Sequence, residues 1–151
     1  MNESGLHLLL VEDDDVAAEG VERAVRGGRL RATVHRAKDG LDALDALRGT
    51  GGRARVPRPH LLLLDLRMPR MDGLQFLRVI RADPELAASV VFLLTTSTAA
   101  RDRIAAYDHH VAGYIPKARL GSRMSDLVEL LVAYEAVVDL PREPAAGGGA
   151  R

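Results

Sequence analysis

Short apolar runs and longer amphipathic stretches alternate along this chain. The runs fall at about 7–11, 31–36, 61–65, 90–95 and 112–115. Leu8-Leu9-Leu10-Val11, Leu61-Leu62-Leu63-Leu64 and Val90-Val91-Phe92-Leu93-Leu94 are apolar at every position. Such strands suit a parallel sheet covered by helices on both faces. Arg31-Ala32-Thr33-Val34-His35-Arg36 alternates instead, which fits an edge strand. Between the runs, helices are predicted over 15–27, 39–48, 73–82, 98–108 and 119–139. In the first, Ala17, Val21, Ala24 and Val25 recur at i, i+4, i+7 and i+8, so one face is buried before Gly27-Gly28 ends it. In the third, Asp72 is placed to cap free amides; Leu74, Leu77 and Ile80 face the core, and Asp83-Pro84 stops the helix. Five such units predict one α/β domain, a doubly wound (βα)5 parallel sheet of flavodoxin-like type.

Two segments stand outside the alternation. Residues 49–59 are rich in Gly, Pro and Arg and read as a surface loop too polar to pack. The tail from Pro141 through Gly147-Gly148-Gly149 reads as disordered. The 151 residues are long enough for one buried core, and 47% hydrophobic with 28% charged residues is a globular balance. Lys+Arg and Asp+Glu are both 21, which argues against general nucleic-acid binding. No apolar run is long enough to span a membrane, and the N-terminus does not read as a signal peptide. Cysteine is absent, which excludes disulfides and thiolate metal sites. A cytoplasmic protein is expected.

The candidate chemistry lies at strand ends. The first strand stops at Glu12-Asp13-Asp14, the third at Asp65, the fourth at Thr95. In an open α/β sheet these carboxyl ends share one edge, where ligands bind. Two carboxylates about 4 Å apart repel by roughly 4 kcal/mol at an effective dielectric near 20, so a converged cluster calls for a cation. All-oxygen ligands of this number suit Mg²⁺, which also accepts a phosphate oxygen. Acids that merely collect at strand ends and cap helices are the plainer alternative.

These residues resemble the receiver domain of two-component response regulators. The likeness covers residues 6–138, giving a receiver domain over 6–139 and a tail over 140–151. It rests on the pair Glu12-Asp13, the phrase Asp65-Leu66-Arg67-Met68-Pro69-Arg70-Met71-Asp72-Gly73, Thr95 at 30 residues beyond Asp65, Lys117 a further 22 on, and Tyr114 three before that lysine. The resemblance implies that Asp65 is the phosphoacceptor. It implies Mg²⁺ held by Asp13, Asp65 and the backbone carbonyl of Arg67, with Glu12 acting through water. Thr95, Lys117 and Tyr114 would form the switch, and Arg67 and Ser97 would tune loss of the phosphoryl group. Before modification Lys117 is expected to pair with Asp65. Afterwards Thr95 would move inward to a phosphoryl oxygen and open room for the Tyr114 ring. The family usually has a cis proline after its lysine, whereas here Pro116 precedes Lys117 and Ala118 follows. A non-proline cis bond costs about 2.5–4 kcal/mol, leaving a trans bond or a strained link.

The expected phosphodonor is a sensor histidine kinase or a phosphotransfer protein. The long segment between strands two and three, with Leu94-Thr95-Thr96-Ser97, is similar to small regulators associated with phytochrome kinases. After Lys117 only one helix and a tail remain, so a stand-alone switch with no activity beyond self-phosphorylation and autodephosphorylation is expected. In the last helix Leu120, Met124, Leu127, Leu131, Tyr134 and Val138 form a docking stripe. Val128, Leu130, Val132 and Val137 lie off it, an apolar surplus that suggests a homodimer. The alternative is a Mg²⁺-dependent phosphohydrolase with an aspartyl nucleophile, but Arg67 stands where such enzymes carry a second acid. A nucleotide- or flavin-binding module would need a phosphate loop where Glu12-Asp13-Asp14-Asp15 stands. A silent-site receiver is a further reading, though all the site residues are present. The five histidines have no recognisable metal-ligand spacing.

Overall fold

The computed structural model describes residues 5–143. Five parallel strands form one sheet: β1 (Leu6–Val11), β2 (Ala32–Ala37), β3 (His60–Leu64), β4 (Val90–Thr95) and β5 (Gly113–Pro116). Their spatial order is β2-β1-β3-β4-β5, which makes the alternating strand an edge, as its pattern implied. The helices are α1 (Asp15–Gly27), α2 (Gly40–Arg48), α3 (Gly73–Ala82), α4 (Ala100–Asp108), α5 (Lys117–Leu120) and α6 (Met124–Val137).

Alternate residues of each central strand feed two separate cores. Leu9, Val11, Leu62, Leu64, Val91 and Leu93 pack with Phe76, Leu77 and Ile80 of α3 on one face. Leu8, Leu10, Leu61, Leu63, Phe92 and Leu94 pack with Val21 and Val25 of α1 and Leu127, Val128 and Leu131 of α6 on the other. Leu74, expected in the core, is half-buried, and Phe76 occupies the deep position. The caps follow the sequence. Asp14 accepts from the Val16 and Ala17 amides, and Asp72 and Gln75 form a reciprocal capping box.

Three expectations need correction. The predicted last helix is two: Gly121 at φ 55° breaks the chain between α5 and α6, a backbone region that favours glycine. The loop over 49–59 does pack: Val56 is buried, and Arg53 pairs with Asp42 at 2.8 Å and donates to the Arg36 carbonyl. The start of the supposed tail is also held. Leu140 is buried. The Glu143 carboxylate accepts from the Arg58 amide at 2.8 Å and from Arg55 at 2.7 Å. Residues 144–151 lie outside the described residues.

The apolar surplus on the last helix is smaller than its pattern suggested. Val128 packs on the end of α1, so closely that a Cβ on Gly28 would lie 2.7 Å from it. Leu130 and Val137 remain exposed. Among the described residues, no helix is long and apolar enough to cross a membrane.

Candidate functional site: an acidic mouth at the strand ends

Register brings the acids together. The Asp65 amide donates to the Val11 carbonyl at 3.0 Å, extending the β1–β3 ladder by one residue and setting Asp65 beside Glu12. Asp13, Glu12 and Asp65 each place a carboxylate oxygen within 4.8 Å of the others. Glu12 and Asp65 are buried and Asp13 is exposed. Arg36 donates through Nε and Nη2 to the Glu12 carbonyl, at 3.1 and 2.7 Å, fixing the backbone at the end of β1. The loop after β3 is held from the side: Arg70 forks onto Asp39 at 2.7 and 3.0 Å. Burial of Asp39 opposes its ionisation, but the Arg70 fork and the Asp42 amide outweigh this and keep its carboxyl below the usual range.

The start of α3 must come very close to Asp65. A Cβ on Gly73 would sit 2.5 Å from the Asp65 carbonyl oxygen and 2.9 Å from the Leu66 Cα. Only a residue without a side chain allows the Gly73 amide to donate to the Leu66 carbonyl at 2.8 Å, which anchors the turn that follows Asp65.

Asp65 itself is electrostatically loaded. Burial first, then the Glu12 charge, push its carboxyl up to about 6, against the pull of Lys117 and the Leu66 amide. That amide donates to Asp65 Oδ1 at 2.7 Å. The expected Lys117–Asp65 pair is not what forms. Lys117 Nζ lies 2.9 Å from Glu12 Oε1, while Glu12 Oε2 accepts from the Asp14 amide at 3.1 Å. Glu12 is the more buried of the two acids, and the flexible ammonium settles there. The Lys117–Ala118 bond is trans, since Arg58–Pro59 is the one cis peptide among the described residues. A hard, all-oxygen donor set with mutual repulsion fits a divalent cation of the Mg²⁺ kind.

Thr95 is fully buried at the end of β4, opposite Pro116 in the β4–β5 register and therefore one residue from Lys117. Its Oγ1 accepts from the Ser97 amide at 3.2 Å. Tyr114 is half-buried, and its hydroxyl donates to the Ser97 carbonyl at 3.0 Å. Two participants escaped the sequence reading. Arg36 lies in an edge strand, where nothing in the local pattern marks it as a partner of the Glu12 carbonyl. Asp102 is buried in α4 and binds both Arg67 and Ser97; an acid at the start of a helix gives no local hint of that.

At the opposite edge of the sheet lies a cavity of about 390 Å³, lined in part by Arg48, Arg55, Arg58 and His60. Arg48 pairs with Asp83 at 3.0 Å, Arg55 with Glu143, and Arg58 donates to the Glu85 carbonyl. Each guanidinium therefore has a protein partner, and these arginines serve the fold.

Five parallel strands in this order, with acids at the ends of β1 and β3 and a lysine after β5, define a receiver-type α/β domain. The sequence model described as "Response regulator receiver domain" matches residues 8–129, and the chain belongs to that family. Response regulator Rcp1 of Synechocystis sp. is 34% identical over 129 residues, which are 85% of this chain and 86% of Rcp1. The crystal structure of the Mn²⁺-bound form of Rcp1 superposes with a TM-score of 0.77 at 31% identity, covering 89% of this chain and 98% of that one. The phosphorylated cyanobacterial phytochrome response regulator RcpA gives a TM-score of 0.81 at 32% identity, covering 91% and 99%.

Proposed function

We propose that Asp65 accepts a phosphoryl group from a sensor histidine kinase or a phosphotransfer protein, in a Mg²⁺-dependent exchange, and that the modified site resets a protein-binding surface. The observation that carries this reading is the convergence of Glu12, Asp13 and Asp65 with Lys117 beside them. Asp13, Asp65, the Arg67 carbonyl and, through water, Glu12 would hold the ion. When bound, Mg²⁺ neutralises the acids and screens the incoming phosphoryl charge.

The remaining chemistry belongs to the chain. An Asp65 carboxylate oxygen attacks phosphorus as the nitrogen–phosphorus bond of the donor histidine breaks, and the departing imidazole takes up a proton. Lys117, paired with Glu12 before modification, would transfer to a phosphoryl oxygen once Asp65 is modified. The Thr95 hydroxyl donates to another, while still accepting from the Ser97 amide. Tyr114, tied to the Ser97 carbonyl, would follow that movement, forming a two-state element biased by the modification. Water later attacks phosphorus and returns the free carboxylate with inorganic phosphate.

Likeness to the phytochrome response regulator RcpA supports a phytochrome-type kinase as donor, and the same reading puts the exchange in the cytoplasm. We also infer a homodimer on α6, where Leu130, Ala133 and Val137 form an exposed stripe at i, i+3 and i+7. Sedimentation showing monomer alone at high micromolar concentration would remove it.

The deciding experiment is acetyl-phosphate labelling of wild type beside Asp65→Asn, with Mg²⁺ and with chelator. An acid-stable, base-labile label is expected only in wild type with Mg²⁺. Equal labelling of the Asn variant would reject Asp65. Sustained turnover of simple phosphate esters would instead favour the phosphohydrolase.

A further inference from the structure

We propose that Asp102 is a positioning residue that clasps the two loops over the phosphorylation site and slows hydrolysis of the phosphoryl group, an inference that rests on Asp65 being the phosphoacceptor. Asp102 is buried on α4, and one of its oxygens, Oδ2, receives both Arg67 Nη2 at 3.0 Å and Ser97 Oγ at 2.6 Å. Arg67 stands two residues after Asp65 and Ser97 two after Thr95. A single carboxylate oxygen therefore ties the loop that follows β3 to the loop that follows β4.

The burial of Asp102 gives the tie its strength. A buried carboxylate needs charged or hydrogen-bonding partners, and Arg67 is its one ion-pair partner among the described residues. Arg67 is otherwise 65% exposed, and its long stem would sample many rotamers without that anchor. Ser97 is the second anchor and is itself held on several sides. Its amide donates to Thr95 Oγ1, its carbonyl accepts from the Tyr114 hydroxyl, and its Oγ accepts from the Ala99 amide at 3.3 Å.

Asp65 and Thr95 stand at the ends of the paired strands β3 and β4, so a phosphoryl group on Asp65 would project between the two loops that follow them. Water must reach phosphorus roughly in line with the aspartyl oxygen. A closed Arg67–Asp102–Ser97 bridge narrows that approach, and the same bridge ties the closure to Thr95 and Tyr114.

The test follows the decay of labelled protein in Mg²⁺ after removal of acetyl phosphate. Asp102→Ala is expected to be labelled at Asp65 and to lose the label about tenfold faster, the scale of one charge-assisted hydrogen bond. Asp102→Asn keeps an acceptor for Ser97 and Arg67 without the charge and should fall between wild type and Ala. Arg67→Ala, on an exposed side chain, should accelerate loss by about the same factor as Asp102→Ala. The double variant should be no faster than either single one, the non-additivity expected of two ends of one contact. A structural effect of Asp102 alone would multiply with that of Arg67. Unchanged decay in Asp102→Asn and Arg67→Ala, or multiplying effects, overturns the clasp. Absence of label from wild type overturns instead the assignment of Asp65.

Discussion

Replacing Asp65 with Asn should make the metal-free protein more stable at pH 8, by an amount that vanishes in acid. Asn keeps the shape and can still accept from the Leu66 amide, but it removes a charge that burial and Glu12 both oppose. The folded carboxyl is pushed up to about 6 from an ordinary value of 3.8; solvent at the open mouth screens part of this difference, so a gain of about 1–2 kcal/mol is expected. Because the folded value is raised, the native state binds more protons between these two points. Wild-type stability from this group is thus full below pH 3.8 and lost as pH rises through about 6. The gain of the Asn variant should appear over the same interval. His60 acts in the opposite direction: burial, aided by the Arg58 charge, pushes it down to about 4 from 6.5. Its contribution is present above 6.5 and lost as pH falls towards 4. Both proteins carry His60, so the difference between them isolates Asp65. Urea unfolding in EDTA from pH 4 to 8 measures it. Added Mg²⁺ should narrow the gap by stabilising wild type alone. An Asn variant no more stable than wild type at pH 8, or a gain independent of pH, would refute the electrostatic account.

Gly73→Ala should lower stability by about 2 kcal/mol, as overpacking does, and weaken Mg²⁺ binding by calorimetry, because the added methyl meets the backbone of Asp65 and Leu66. Wild-type unfolding and affinity would contradict that. Lys117→Met leaves Glu12 buried without its cation and should cost about 3 kcal/mol in EDTA at pH 8. Mg²⁺ should restore part of this loss; an equal deficit with and without the ion would count against the pairing. His60→Leu should flatten the fall in stability between pH 6.5 and 4 that the histidine imposes, read from the same urea series.

Much of the molecule was written in local patterns. Strands apolar on both faces predicted a covered parallel sheet, alternation placed β2 at an edge, and Asp72 before an amphipathic run marked the start of α3. With strand direction settled, Glu12, Asp13, Asp65 and Thr95 had to meet at one edge. Those inferences need only the periods of helix and strand and the chirality of their connections. The tertiary structure decided what periodicity does not encode. Lys117 sits on Glu12 rather than Asp65 because a point charge on a flexible stem goes to the more buried carboxylate, whose charge water compensates least. Asp102 became the partner of Arg67 and Ser97 because α4 brings it between two loops, and its neighbours along the chain carry no trace of that contact. Arg53, Val56 and Glu143 packed where composition suggested solvent, since loops distant in sequence supplied the acids, arginines and apolar walls they needed. Pairing between side chains far apart in the chain depends on distance in space, and that distance exists only once the sheet has set its order and register.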